Sequence, residues 1–366
     1  MDSLTDSPAG PSANVGMPSL DRLLASHWIT TTADGDIVTP YVRLLPDGRI
    51  GGEAAPEAPF WTFEAGVLRI RDAAGRAILV FDRAEAAADV LSLFSTAGGF
   101  VLSEITPPHT LDRPHLPTRV KTRRPPTGRP NLVILRANAQ SLHPRWARDL
   151  ADVERSWDLA ISFYGAASDY RRLNETDDFS EFSAFQPQER KFQAIRSLLL
   201  SHPELLAYER FMFPDDDLDM SWSDINTAFL SMSAWDLRIA QPALRDGSHI
   251  SYGATRQDHA YHVRFTSMVE VMIPMMARDI LVECLGTFGL TDSAFGIDYV
   301  WPKITGVRPH QIGIIDDVAV LHTRPIATNY DIRPAYKEGD ALCALYGKHE
   351  WFQINVRGGM ARAVRR

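Results

Sequence analysis

The rhythm of apolar and polar positions changes once along the chain. From Trp28 to about Ile105, short apolar runs (VRLL, FWTF, VLRI and AILVF) are separated by Asp34-Gly35, Asp47-Gly48 and Ala74-Gly75. Pairs of the Asp-Gly type tolerate positive φ and favour tight hairpins, so this part predicts a small antiparallel sheet or partial barrel. Trp28, Trp61 and Phe63 are the candidates for its core, and the alanine-rich stretch 84–94 predicts a helix. After Pro130 the rhythm lengthens. Strand-like runs LVILR (132–136), LAISFY (159–164), ERFMF (209–213), LRIAQ (237–241) and IGIID (312–316) alternate with helix-like stretches. In 188–201, Phe192, Ile195, Leu198 and Leu199 share one helical face; 223–235 opens on Ser223-Asp224, suited to a cap; 277–288 stops at Gly289. Such alternation predicts an α/β domain with a mostly parallel sheet flanked by helices, preceded by the small antiparallel β-rich domain.

Composition sets boundaries and excludes partners. A length of 366 residues suits two domains. The Ser-, Pro-, Gly- and Ala-rich segment 1–19 is expected to be disordered, and 20–106 to form the β-rich domain. Residues 107–130 hold seven prolines and six basic side chains (Arg113, Arg119, Lys121, Arg123, Arg124 and Arg129), the composition of a linker. The same strip is a candidate for peripheral contact with anionic lipid headgroups. Residues 131–366 are then expected to form the α/β domain with a C-terminal tail. A net charge of −8 argues against general nucleic-acid binding. The most apolar stretch, 268–285, carries Glu270, Arg278, Asp279 and Glu283, which is unsuited to a membrane span. With no signal-peptide pattern, a cytoplasmic protein is expected. Cys284 and Cys343 both lie in apolar runs and form no Cys-x-x-Cys pair, so they predict buried free thiols.

The usual nucleotide-triphosphate, dinucleotide, zinc-protease and serine-hydrolase motifs are missing. What stands out is Phe211-Met212-Phe213-Pro214-Asp215-Asp216-Asp217-Leu218-Asp219, an apolar strand that stops at a proline and opens into four carboxylates. Ligands of α/β sheets bind beyond the carboxyl ends of strands. Clustered carboxylates repel unless a cation lies among them, and hard cations such as Mg²⁺ or Mn²⁺ take oxygen ligands together with substrate phosphates. The alternative is an acidic surface loop that caps the next helix.

The triplet is similar to the Asp-x-Asp signature of GT-A glycosyltransferases. The blocks WDLAISFYG, FMFPDDDLDM, DLRIAQPAL, RFTSMVEVMIP, FGIDYVW and IIDDVAVLHTRP resemble a family of unknown function spread across bacteria and plants. Some plant members of that family carry the misleading label of trans-splicing-related lysine-ketoglutarate reductase proteins. The similarity covers about 131–325 and leaves out the β-rich part. It implies a GT-A-like (Rossmann-like) fold and a nucleotide-sugar-dependent transferase of hexosyltransferase type.

The resemblance assigns roles by position. Asp217 and Asp215 are the expected metal ligands, with His322 completing the shell for Mn²⁺ or Mg²⁺. Asp298 in FGID keeps the second acid of the acceptor-site motif, with Ile297 in place of the first; it is the expected catalytic base or, alternatively, a helix cap. Asp216 faces donor ribose or solvent. Lys191 is a candidate to neutralise the donor diphosphate, and Tyr164 to stack on its base; a solvated helix face and an ordinary strand end are the alternatives. The polar, aromatic stretch 248–270 supplies candidate acceptor contacts in His249, Arg264 and Glu270, unless Glu270 forms a buried pair with Arg264 or Arg278. The implied activity is inverting transfer of a sugar to a glycan or glycolipid hydroxyl, as in polysaccharide biosynthesis. Metal-dependent nucleotidyl or phosphoryl transfer, or sugar or nucleotide binding without catalysis on a transferase scaffold, stay open.

Overall fold

The computed structural model describes residues 13–52, 60–125, 127–150, 154–176, 179–325, 332–347 and 353–363. The chain divides into two compact units: Met1–Thr110 with Lys303–Gly306 and Ala344–His349, and Leu111–Pro302 with Val307–Cys343 and Glu350–Arg366.

The first unit is antiparallel β. A seven-stranded sheet includes His27–Thr32, Ile37–Leu44 and Phe100–Ile105, and a separate three-stranded sheet runs Phe60–Glu64, Val67–Arg71 and Ala77–Phe81. Trp28 and Trp61 are buried with Leu23, Leu44, Leu68, Phe81 and Leu93, while Phe63 packs against this core half-buried. Both indoles donate inward, Trp28 Nε1 to the Leu23 carbonyl at 3.3 Å and Trp61 Nε1 to the Leu45 carbonyl at 3.0 Å. Their polar edges are therefore satisfied within the unit.

The helix expected over 84–94 is a hairpin of Arg83–Ala87 and Val90–Phe94. Ala88 and Asp89 both take positive φ, the backbone of a tight two-residue turn, and Ala84, Leu91 and Leu93 face the core. Of the segment expected to be disordered, 1–12 lies outside the described residues, whereas Ala13–Val15 pairs with the Arg83–Ala87 strand.

The second unit is α/β around a mixed eleven-stranded sheet. Its parallel part brings Phe182–Phe185, Trp157–Phe163, Asn131–Ala137 and Arg210–Met212 side by side. Met275–Ala277 then inserts antiparallel between Arg210–Met212 and Ile239–Leu244, and Ile239–Leu244 runs parallel to Ile312–His322. Asn131–Ala137 and Trp157–Phe163 are buried at every position, so apart from Asn131, Arg136, Asp158 and Ser162 they read as apolar runs. The helix Lys191–Ser201 buries Phe192, Ile195, Leu198 and Leu199. Trp222–Ala234 starts one residue before the expected helix: Ser221 caps it, and Asp224 reaches back to the Ser221 amide.

Part of the basic strip belongs to this unit. Val120–Thr122 pairs with Phe182–Phe185 as an edge strand. Arg129 bonds Asp158 and Glu181, Arg123 bonds the Leu173 carbonyl, and Arg124 lies 3.9 Å from Glu181. Arg119 and Lys121 are exposed. Among the described residues, no helix is long and apolar enough to cross a membrane. Cys284 and Cys343 are buried and unbridged.

Candidate active site

The strand Arg210–Met212 ends at the acidic turn. Phe213 and Asp215 continue outward by donating their amides to the Pro274 and Met272 carbonyls, both at 2.9 Å or less. The rest of the turn is pinned from several sides. The Asp216 carbonyl accepts from the Leu142 amide, that of Asp217 from the Thr323 amide and hydroxyl, and that of Leu218 from Trp146 Nε1. Backbone fixed at this density holds three neighbouring carboxylates in distinct directions.

Each carboxylate has its own partner. Asp215 Oδ1 accepts from Lys191 Nζ at 2.7 Å. Burial pushes the Lys191 ammonium below its ordinary value, and the Asp215 charge works against that shift. Asp216 Oδ2 accepts from Ser141 Oγ at 2.9 Å and Tyr164 Oη at 3.1 Å, and Arg324 lies 3.6 Å from its other oxygen. Asp217 Oδ2 faces His322 Nε2 at 3.4 Å, with both side chains almost wholly buried.

A bulge brings His322 to Asp217. In the pairing of Ile239–Leu244 with Ile312–His322, Pro242 matches Ile315 while Ala243 matches Ala319, so three residues loop out. Arg264 fastens that bulge, with Nε and Nη2 each donating at 2.8 Å to Asp316 and further bonds to the Ala254 and Arg256 carbonyls. Beyond the bulge, the strand end pairs Leu218 with His322. The His322 Nδ1 lies 2.8 Å from the His249 carbonyl, so Nδ1 carries the proton and Nε2 is directed at Asp217. Burial disfavours a charged His322, but the bonds to Asp217 and the His249 carbonyl outweigh it and hold the imidazole above its ordinary value.

Two further carboxyls are buried in this unit. Glu270 Oε1 accepts from Ser251 Oγ at 2.6 Å, and its Oε2 is buried with no hydrogen-bond partner among the described residues. Asp298, in the first turn of the helix Ile297–Thr305, accepts from the Tyr299 amide at 2.9 Å and the Val271 amide at 3.3 Å. Burial pushes both acids up to about 7, Asp298 being raised further by the Glu270 charge. Asp215 raises Glu270, whereas His322 and Lys191 lower it, so all these groups act on one another. Tyr252 is pushed up by burial and then by Asp298 and Glu270.

The expected residues therefore fall into two groups. Asp215, Asp216, Asp217, Lys191, Tyr164, His322, Glu270 and Asp298 are linked by bonds or by mutual electrostatics. His249 joins them through its backbone, and its exposed ring stands edge-on to His322, centroids 6.3 Å apart. Arg264 does not join: it is the pin of the bulge. Arg278 reaches the Ala207 carbonyl, so neither arginine pairs with Glu270. One face of the Tyr164 ring is covered by the Arg136 guanidinium at 5.0 Å, and its hydroxyl also accepts from Asn138.

Asn138, Ser141, Ser251, Gln241 and Arg324 were not singled out by the sequence. Asn138 and Ser141 follow the first strand of the α/β part, and their position after a strand end was the one available cue. Cavities of about 240 Å³, beside Arg238 and Asp279, and about 460 Å³, beside Tyr170 and Phe185, lie outside the cluster.

Among the described residues, no three His, Cys, Asp or Glu side chains are grouped as a ready-made metal site. Asp217 and His322 supply two donors, while Asp215 is drawn onto Lys191. A carboxylate oxygen beside an imidazole nitrogen suits Mn²⁺, and a ring whose other nitrogen donates to a carbonyl is the usual state of a ligating histidine. On that chemistry Asp217 and His322 offer two of the donors that a divalent cation takes.

No family model matches the chain, and no curated protein matches it. Two solved structures illustrate what it is similar to. Glucosyl-3-phosphoglycerate synthase from Mycobacterium tuberculosis, in complex with Mn²⁺, UDP and phosphoglyceric acid, shares 11% identity over 61% of this chain and 80% of its own, with a TM-score of 0.38. TarS 1–349 of S. aureus with UDP-GlcNAc shares 8% identity over 59% of this chain and 65% of its own, with a TM-score of 0.41. Neither similarity assigns a residue or a substrate to this chain.

Proposed function

We propose that the chain is a metal-dependent glycosyltransferase that moves a sugar from a nucleotide-sugar donor to a hydroxyl of a glycan or glycolipid acceptor, with inversion. The observation that carries this is the Asp217–His322 pair at the carboxyl edge of the sheet, with His322 Nδ1 already engaged by the His249 carbonyl. Asp217, His322 and Asp215 would hold Mn²⁺ or Mg²⁺. Such an ion, when bound, stabilises the diphosphate that leaves. Lys191 holds a second positive charge at the same edge, where a donor phosphate would take the place of Asp215 as its counter-charge. Asp216, fastened by Ser141 and Tyr164, fixes the turn from which its neighbours project and stands on the donor side. His249 is exposed on the acceptor side.

Inverting transfer also needs a group to take the proton of the acceptor hydroxyl. A base works best when its pKa lies near the working pH. The buried acids Asp298 and Glu270, both pushed up to about 7, meet that condition; Asp298 is the one its motif designates.

The deciding experiment is a thermal-shift screen of nucleoside diphosphates and nucleotide sugars, with Mn²⁺ and with chelator. A stabilisation that requires both nucleotide and metal is expected, because a ligand of the native state raises stability by mass action. Nucleotides that never shift the transition would sink the proposal. A product that retains phosphate would move it to nucleotidyl transfer.

A further inference from the structure

The segment from Glu270 to Met272 forms no helix or strand, yet it is deeply placed, and its polar atoms are tied down one after another. The Glu270 amide donates to Gln241 Oε1 at 2.6 Å. The Val271 amide donates to Asp298 Oδ2 at 3.3 Å. The Val271 and Met272 carbonyls accept from Lys191 Nζ at 2.8 and 3.0 Å, and Met272 also receives the Asp215 amide. The Glu270 carboxyl has one oxygen fixed by Ser251 and the other, Oε2, buried without a partner among the described residues, in a residue only 6% exposed. An orphaned buried acceptor is costly, and a costly group that persists amid such thorough fastening points to a ligand. Asp298 is in the opposite condition, with both carboxylate oxygens occupied by backbone amides.

We propose that Glu270 Oε2 takes the proton of the acceptor hydroxyl, and that Asp298 is a positioning residue that clamps the Glu270-bearing strap. The proposal rests on the glycosyl-transfer function above and reverses the roles of the two acids. In the step, the acceptor O–H bond breaks and its proton passes to Glu270 Oε2. The freed oxygen bonds to the anomeric carbon of the nucleotide sugar, and the bond from that carbon to the diphosphate breaks, releasing nucleoside diphosphate. The charged and titratable groups acting on Glu270 are Asp298, Asp215, Lys191, His322 and Tyr252. Ser251 holds its other oxygen and thereby orients the one that reacts.

The test compares full-length wild type, Glu270→Gln and Asp298→Asn. UDP with Mn²⁺ is the binding probe, UDP release from UDP-glucose with water as the acceptor hydroxyl, over a pH series, is the kinetic probe, and ¹³C-carboxyl NMR on glutamate-labelled protein reads Glu270 itself. Glu270→Gln is expected to keep the UDP–Mn²⁺ thermal shift, to lower kcat by about 100-fold or more, and to abolish the rising limb of the pH profile. Asp298→Asn should slow turnover and raise KM yet keep that limb. In wild type the Glu270 carbon should titrate in the neutral range. Substantial turnover by Glu270→Gln, loss of the limb in Asp298→Asn alone, or a Glu270 signal that stays protonated throughout would each overturn the proposal. A wild type that ignores UDP, every other nucleotide and Mn²⁺ would instead remove the transfer function on which it rests.

Discussion

Glu270 ionises against its surroundings, and this gives stability an unusual pH dependence. Its folded pKa is raised from 4.5 to about 7, chiefly by burial. Between those values the native state holds a proton that the unfolded chain has released, so native stability falls as pH rises through the window. The slope is about 1.4 kcal/mol per pH unit for one group, and the whole effect is about 3 kcal/mol at most. Glu270→Gln removes it. In metal-free protein, urea melts at about pH 5 and about pH 8 should therefore show the variant gaining on wild type at the higher pH. A gap of constant size would mean that the folded pKa is ordinary. His322 tests the metal site separately: His322→Ala should leave the protein folded but abolish the metal-dependent part of the nucleotide thermal shift. At this scale the sequence displayed the acids and His322, because charge or imidazole after an apolar strand is conspicuous. It concealed Gln241 and Ser251, which matter only through what they touch.

The helix Ile297–Thr305 and the bulged strand Ile312–His322 deliver the distant members of the site. Gly296, just before the helix, sits at φ +87°, and a Cβ there would lie 3.1 Å from both Cα and O of Gly339. Gly296→Ala combines backbone strain with overpacking, so a loss of about 1–3 kcal/mol is expected in a denaturant melt, with Asp298 displaced and turnover reduced. The bulge has the larger stake. Arg264→Ala leaves Asp316 buried without its cation, which should cost about 3–5 kcal/mol and weaken the nucleotide–metal thermal shift, since the strand end carries His322. A variant with unchanged melting would show that the bulge holds without its pin. The apolar runs at 132–136, 159–164 and 312–316 were legible as strands because burial on both faces leaves mostly hydrophobic sequence. The hairpin at 83–94 was not, because alanine fits either period and the turn depends on two non-glycine residues at positive φ. The inserted strand Met275–Ala277 lay hidden at the border of an apolar run that extends into a helix.

At the scale of the molecule, the change of rhythm near residue 130 was legible, as were an antiparallel β-rich part and an α/β part. The order of the large sheet was not, since it depends on long-range pairings that no local pattern encodes. That order matters for function: the site draws on residues from 138 to 324, all within the second unit, and none of its members comes from the first. Binding energy should therefore appear as local protection in a definite place. At 100-fold excess over Kd a ligand adds about 2.7 kcal/mol, which for a unit of this size raises the transition by roughly 5–10 °C. Amide hydrogen exchange with Mn²⁺ and the nucleotide that binds should slow at 138–142, 215–218, 270–272 and 322–323, where the backbone bonds of the acidic turn and the strap converge. The strands His27–Thr32 and Phe100–Ile105 should exchange as before. Protection confined to the first unit would place the ligand on the β-rich part and leave the acidic turn without its assigned role.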